Sequence, residues 1–338
     1  MEISEVTALS NITPKQNPLK ASTLFGDYLI MLIAPCVMAV WHYGGRALWI
    51  VFLSILSALL TDGIASAVLG KPFRIKDLSD IFIGTAIAMM MPAGVPFYVP
   101  VSAACFAVAA VKVPFGGATR SPFIPAAAGF AFASVCFKEQ VFDFAYKSEG
   151  KFLGETSLAS LLSHGNSLHI NLSTLLDIVI GNVAGPMGTG CGILMVASCI
   201  YLFVRRKRAL LATAVFIGAC IVFAVVFPRI NMPAEISSVG ILLKAVMTSI
   251  LLEISSGSLL FAAVFLLTDH ATLPKSSINR VIYGIVCGVF CMGMRAVGVY
   301  EETVCFAILF ANGFRPVFDS AARGLDAVVS KRKGAVKK

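Results

Sequence analysis

The chain has 338 residues, of which 58% are hydrophobic and 13% charged, with a formal net charge of +9; its mean hydropathy is +0.87. Soluble domains carry about 25% charged residues, so a soluble globule is excluded. The basic excess does not point to nucleic acid, because it lies at the ends of apolar runs: Arg205-Arg206-Lys207-Arg208 follows one directly, and Lys331-Arg332-Lys333 with Lys337 and Lys338 closes the chain.

The fold class expected is an all-α polytopic membrane protein. Residues 1–26 are polar and mixed, without a charged region leading into a short apolar core, and are read as a cytoplasmic N-terminal segment rather than a secretory signal. A helix crossing the hydrocarbon needs about 20 mainly apolar residues. Spans are predicted near 27–43, 47–69, 78–93, 97–112 and 122–138. A polar island, 139–172, interrupts the apolar pattern, and the chain then resumes with spans near 190–204, 209–227, 257–268 (short, with 239–254 leading into it), 281–298 and 303–319. A basic tail, 320–338, is placed in the cytoplasm.

Charge placement orients these ten spans. With the N-terminus inside, the inner segments carry Lys15, Lys20, Lys71, Arg74, Lys76, Lys112, Arg120, Arg205 to Arg208, Lys275, Arg280 and the tail. The outer segments carry only Arg46, Lys138, Lys147, Lys151, Arg229 and Arg295. That asymmetry puts both termini in the cytoplasm and the island outside a bacterial inner membrane. Five spans is an odd number, so two five-helix halves, 27–138 and 173–319, run in inverted topology. The approaches to each half's last span echo one another: Phe115-Gly116-Gly117 before Pro122-Phe123-Ile124-Pro125-Ala126, and Val297-Gly298-Val299-Tyr300 before Cys305-Phe306-Ala307.

Two apolar segments are interrupted. Residues 175–192 contain Asp177, Asn182 and a run of glycines around Pro186, and residues 240–257 contain Lys244, Glu253 and Ser255-Ser256-Gly257. Each reads either as a broken or re-entrant helix lining an internal site, or as an amphipathic helix on the membrane surface. The nine cysteines lie in or beside apolar segments, with no C-x-x-C pair, which excludes a disulfide framework. Cys287 and Cys291 share a helix face, for packing or for a metal; His164 and His169 in the island are solvated loop residues or metal ligands.

Four ionisable residues at membrane depth are candidates for an ion path or for structural pairing: Asp62, Glu253, Asp269 and Arg295. A charge at the centre of a span costs about 2.5–3.5 kcal/mol on insertion scales unless paired or hydrated. Asp62 has a second reading as a cytoplasmic-end residue beside Thr61 and Gly63, and Arg295 as a partner of Glu301 or Glu302 at the outer surface.

The run Ser256-Gly257-Ser258-Leu259-Leu260-Phe261, followed by Phe265-Leu266-Leu267-Thr268-Asp269-His270-Ala271-Thr272-Leu273-Pro274, resembles the "SGG…F…ATDPVTSP" segment of the RnfD/NqrB family. Arg295 to Glu302, Phe306 to Asn312 and Pro316-Val317-Phe318-Asp319 continue the likeness. Phe115-Gly116-Gly117 through Ala126 is similar to the family's "FGGLGQNPFNPA", and Leu175 to Asn182 with Gly185-Pro186-Met187-Gly188 to its "LLDLFLGNIPGSIG". The resemblance covers about residues 20–320 and, by length, RnfD in particular.

The resemblance implies a membrane subunit of an Rnf-type electron-transport complex, working with the other subunits and coupling electron transfer to Na⁺ or H⁺ movement. It also implies FMN held by a phosphoester to a threonine in an S/T-G-A-T-x-L sequence, with riboflavin as a further flavin. The matching segment is Leu153-Gly154-Glu155-Thr156-Ser157-Leu158, which makes Thr156 the covalent FMN residue and Gly154 part of its motif. Leu153 replaces the serine and Glu155 the alanine, so an ordinary loop threonine or helix N-cap stands as the other reading of Thr156. In the family's asparagine-bearing segment this chain has Ser121 and Ile124, and Met187 to Cys191 replaces its "IGETS", removing a membrane-level Glu. A small-solute channel or transporter on the same inverted scaffold, and a flavin-free structural subunit, are the competing functions.

Overall fold

The computed structural model describes residues 18–70, 77–144, 185–189, 192–205, 207–228, 239–269, 271–274, 276–298, 302–318 and 320. Among these, every regular element is helical. The first group is α1 (Pro18–Tyr43), α2 (Gly45–Val68), α3 (Ser79–Met89), α4 (Tyr98–Phe106, continued by a π-helical stretch Ala107–Lys112), α5 (Pro125–Cys136) and the single turn α6 (Lys138–Val141). The second is α7 (Gly192–Arg205), α8 (Lys207–Val226), α9 (Val239–Ser255), α10 (Leu259–Phe265), α11 (Ser277–Val297) and α12 (Val304–Gly313).

Each predicted span coincides with an apolar helix, but the helices differ in reach. Among the described residues, four are long and apolar enough to cross a membrane: Phe25–Tyr43, Gly45–Val68, Ala209–Val226 and Ser277–Val297. Val246–Ser255 and Leu259–Phe265 meet the same criterion only together, as a pair bent by 60°, either a broken span or a re-entrant loop. Five more are apolar but shorter: Ser79–Met89, Tyr98–Lys112, Pro125–Cys136, Gly192–Arg205 and Val304–Gly313. The chain is thus an all-α polytopic membrane protein. The expected run 97–112 is helical but not uniformly so, because its last six residues widen into a π-helix, a local feature common at functional positions.

Surface polarity is inverted relative to a soluble fold. Ile30, Ile33, Val37 and Trp41 of α1 and Trp49, Phe52, Leu60 and Ile64 of α2 face outward, while Ser54, Asp80, Lys112, Glu253 and Arg295 are buried. With hydrocarbon outside, burying apolar area gives little drive, and close approach of backbones does more of the work. Small residues mark those approaches. A Cβ on Gly84 of α3 would sit 2.7 Å from the Cα of Ile55 on α2. On α11, Gly288 would meet the Cβ of Ala219 on α8 at 2.6 Å.

The two groups of helices meet along α1 against α7 and α5 against α12. The short helices α3 and α10 lie between them and run past one another in opposite senses. At one end, the N–H of Gly188 donates to Met89 O at the close of α3 (2.7 Å), and the position of Gly188 Cα is also packed on Phe261 in the first turn of α10. At the other, Phe82 in the first turn of α3 packs on Tyr28 (5.3 Å between rings), whose hydroxyl donates to Thr268 O beyond the end of α10 (2.6 Å).

Close packing at α8–α11 gives a direct test. Gly288→Leu is expected to destabilise the purified protein by about 1–3 kcal/mol through overpacking. Gly293→Leu, on the same helix with open space around it, should leave the detergent-solubilised melting curve close to wild type.

Candidate functional site

Breaking a helix inside a membrane exposes carbonyls that must find donors in the protein. Guanidinium groups supply them here. After α3 the chain turns through Met91-Pro92-Ala93-Gly94-Val95-Pro96. Arg46 from the start of α2 donates Nε to Ala93 O (2.8 Å) and one terminal nitrogen to Gly94 O and Val95 O (3.2 Å each). Its guanidinium also lies over the Phe97 ring at 5.0 Å. After α10, Arg280 donates Nε to Pro274 O (2.8 Å), and Arg315 donates to Ala271 O (2.8 Å). Both short helices, α3 and α10, are therefore followed by irregular backbone that charged side chains hold.

The start of each short helix carries a buried charge cluster. At the start of α3, Lys112 Nζ lies 2.6 Å from Asp80 Oδ1 and 3.4 Å from Asp62 Oδ2. The π-helical end of α4 delivers Lys112, the last residues of α2 deliver Asp62, and the first turn of α3 delivers Asp80. At the start of α10, Arg295 Nη1 lies 3.5 Å from Glu253 Oε2. The same guanidinium donates to Glu253 O (2.9 Å), Ser256 Oγ (3.0 Å) and Ser256 O (3.0 Å). Glu302 accepts from Ser258 N (2.7 Å) and Ser258 Oγ (2.5 Å). Gly257 separates the two serines at φ +63°, and a side chain there would overlap the Glu302 carboxylate. Glycine is thus required twice over, by backbone and by space.

Both clusters hold one cation and two carboxylates, and all six groups are at most 9% exposed. A buried pair stabilises little on balance, since desolvation offsets most of the attraction, but removing one partner strands the other. The clusters therefore fix where α3 and α10 begin, rather than adding stability overall.

Of the four membrane-depth candidates, the structure brings Glu253 and Arg295 together and places Asp62 with Lys112. Asp269 is 6% exposed, in the turn after α10. Its N–H donates to Leu266 O and its carbonyl accepts from Leu273 N, both at 3.0 Å; Tyr283 is within electrostatic reach. Arg295 is 2% exposed and pairs with Glu253, with Glu302 also within electrostatic reach, and Glu302 is itself engaged by Ser258. Glu301 lies outside the described residues. Lys112, assigned to a cytoplasmic segment as an orienting charge, is 5% exposed and spent on Asp80 and Asp62. Sequence reasoning did not single out Asp80 or Tyr28, and named Glu302 as a candidate partner of Arg295. Asp80 was findable, because predicted spans 78–93 and 97–112 each carry an opposite charge near one end. Tyr28 had no signal, since its partner is 240 residues away.

The island, with Thr156, Gly154, His164 and His169, and the segment holding Asp177 and Asn182, fall outside the described residues. Cys287 and Cys291 are buried thiols on one face of α11. No group of three or more His, Cys, Asp or Glu placed to hold a metal ion occurs among the described residues.

Apolar helices, one bent pair among them, with buried and paired charge define a polytopic membrane protein. Residues 14–325 match the model of the NQR2, RnfD, RnfE family, and the chain belongs to that family. It is 25% identical over 333 residues to the D-type subunit of the ion-translocating oxidoreductase complex of Halorhodospira halophila, covering 89% of this chain and 90% of that one. It is 24% identical over 316 residues to the D-type subunit of the Na(+)-translocating ferredoxin:NAD(+) oxidoreductase complex of Acetobacterium woodii, covering 91% and 93%. To the B-type subunit of the Na(+)-translocating NADH-quinone reductase of Klebsiella pneumoniae it is 27% identical over 278 residues, covering 77% of this chain and 63% of the other.

The charge clusters predict a non-additive pattern. Arg295→Met should destabilise by about 3–5 kcal/mol by leaving buried carboxylate uncompensated. Adding Glu253→Gln to it should restore much of the loss. A double-mutant cycle of melting curves in detergent reads the coupling, and strict additivity of the two single effects would refute the pairing.

Proposed function

We propose that this chain is the D-type membrane subunit of an Rnf-type complex in a bacterial inner membrane, with both termini cytoplasmic and the island outside. In this reading it relays electrons through FMN joined to Thr156 and contributes the path for coupled Na⁺ or H⁺ movement. The observation that carries the reading is the family match across residues 14–325, with relatives of similar length named as subunits of such complexes.

The inverted five-plus-five arrangement is supported by the order of helices on either side of the island and by the opposite senses of α3 and α10. A residue in the left-handed region precedes each of these helices, Leu78 (φ 55°) and Gly257 (φ 63°). Ser79 with Phe82, and Ser258 with Phe261, then open them at the same spacing. Asp269 is the group assigned to the ion path. It follows the short apolar helix α10 and is buried.

Thr156 supplies the hydroxyl oxygen that a phosphoester requires, and Glu155 sets a carboxylate beside the phosphate it would carry. When bound, FMN would supply one-electron redox chemistry; the chain supplies its position. The replaced motif positions, Leu153 and Glu155, favour a second reading in which the subunit has lost the covalent flavin.

Two measurements test this. Expressed with the flavin transferase, the wild-type chain should give a fluorescent band under ultraviolet light on a denaturing gel, and Thr156→Ala should lose it. A dark wild-type band establishes the flavin-free reading. In the assembled complex, Asp269→Asn should cut cation-dependent electron transfer at least tenfold, measured in membrane vesicles against added Na⁺ and against pH. Solute flux by the isolated chain in vesicles would instead identify a transporter.

A further inference from the structure

Charge is unbalanced where α1 of the first group meets α7 of the second. Arg205, the last residue of α7, donates Nη2 to Asp27 Oδ1 of α1 at 3.1 Å. The Arg205 side chain is 58% exposed and that of Asp27 19%. A guanidinium carries several N–H donors in a planar fork. Asp27 and the Tyr201 hydroxyl take only part of that set, so the outward edge of Arg205 has donors for an incoming acceptor. A notch at the junction is lined by Asp27, Tyr28, Met31, Tyr201, Leu202 and Arg205. In sequence, Arg205 opens the run Arg205-Arg206-Lys207-Arg208, and the stretch from Ile178 to Ala234 holds no Asp or Glu. Among the described residues, the carboxylate paired with this turn comes from α1.

The position of the run along the chain says what surrounds it. From Ala209 onward α8 is long and apolar enough to cross a membrane, so the basic residues directly before it lie at a membrane–water boundary. Both helices of the junction present apolar side chains outward: Ile30, Ile33 and Val37 on α1, and Val196, Ile200 and Val204 on α7. Acyl chains cover such faces in a bilayer. A cation at headgroup level above an acyl-covered face fits an amphiphile with an anionic head, and basic clusters at helix ends attract such lipids. The Asp27 pair does not compete strongly, because an exposed ion pair contributes little.

We propose that the α1–α7 junction binds an anionic phospholipid, with Arg205 as the residue that holds its phosphate. The phosphodiester oxygens accept from the open edge of the guanidinium, whose planar fork suits them. The acyl chains lie along the outward faces of α1 and α7, and the rest of the basic run adds attraction to the headgroup. One lipid touching both helices joins the two groups of helices at an exposed edge, where the direct ion pair adds little. The site depends neither on which side of the membrane the turn faces nor on whether Thr156 carries flavin.

The test is thermal melting of the full chain in detergent micelles doped with phosphatidylglycerol or, at equal mole fraction, phosphatidylcholine, with inorganic phosphate as a separate arm. Phosphatidylglycerol should raise the melting temperature and saturate; phosphatidylcholine and inorganic phosphate should not. Arg205→Gln should raise the half-saturating mole fraction roughly fivefold, the factor for one basic side chain at an anionic surface. Arg205→Lys, which keeps the charge and loses the fork, should fall between Gln and wild type. Asp27→Asn separates the lipid from the ion pair. It removes the carboxylate beside the phosphate, so half-saturation should not rise, whereas an effect due to the pair would make it behave like Arg205→Gln. Arg120→Gln, which removes an exposed cation from another turn, should shift the midpoint by less than about twofold, because a diffuse field is screened by salt. Equal stabilisation by the two lipids overturns the proposal, as does an unaltered midpoint in Arg205→Gln. An equal shift in Arg120→Gln, or a rise in Asp27→Asn matching that of Arg205→Gln, overturns it too. Equal stabilisation by inorganic phosphate makes this a site for free anions and overturns the lipid assignment. Should Arg205→Gln not accumulate, native mass spectrometry of the wild type decides: a retained phosphatidylglycerol adduct with no phosphatidylcholine counterpart supports the site, and no such adduct overturns it.

Discussion

Hydrocarbon supplies no hydrogen bonds, and that single constraint organises this molecule. An unbroken helix satisfies its own backbone, so α1, α2, α8 and α11 need nothing more than an apolar exterior. The bent pair α9–α10 and the short helix α3 do need more, because each ends or turns with carbonyls exposed. Arg46, Arg280 and Arg315 meet part of that demand. The N–H groups of Met187 and Gly188 and the phenol of Tyr28 meet the rest. A protein whose task was only to anchor partners would have no reason to keep breaks that require six such groups.

The same constraint explains why charge is clustered instead of scattered. A single buried carboxylate would cost several kcal/mol, and pairing recovers most of that. Lys112 serves two aspartates and Arg295 sits between two glutamates, each at the start of a short helix. These positions have a mechanical consequence. A short helix pinned at its beginning by ionic contacts and at its end by hydrogen bonds from the other half cannot slide independently. Motion of one half relative to the other must pass through the pins.

The sequence made the frame legible because hydropathy integrates over about 20 residues and tolerates local irregularity. All ten apolar stretches correspond to helices, and the bent span was visible in advance, since 239–254 was read as leading into a short 257–268. What escaped is what depends on three-dimensional partners. Lys112 looks like any basic residue at a membrane edge until Asp80 is found 2.6 Å away. Arg295 has Glu302 nearby in sequence and within electrostatic reach, but its ion pair at 3.5 Å is with a residue far away in sequence. Its partner Glu253 is 42 residues earlier, brought close by the bend between α9 and α10. The π-helical end of α4 likewise has no compositional mark: Ala107-Val108-Ala109-Ala110-Val111 would be equally at ease in an α-helix.

Departures from the family pattern fall both in the island, at Leu153 and Glu155, and in the membrane frame, at Ser121 and Ile124 before α5, at Ser258 in the "SGG" segment and at Met187 to Cys191. Ser121 illustrates the difference. Its hydroxyl donates to Phe123 O (2.7 Å) and accepts from Phe123 N (3.2 Å), so it closes a local turn in place of reaching across the molecule. The buried clusters add little net stability, because apolar replacements of similar volume are neutral or stabilising; what they contribute is a fixed start for α3 and α10.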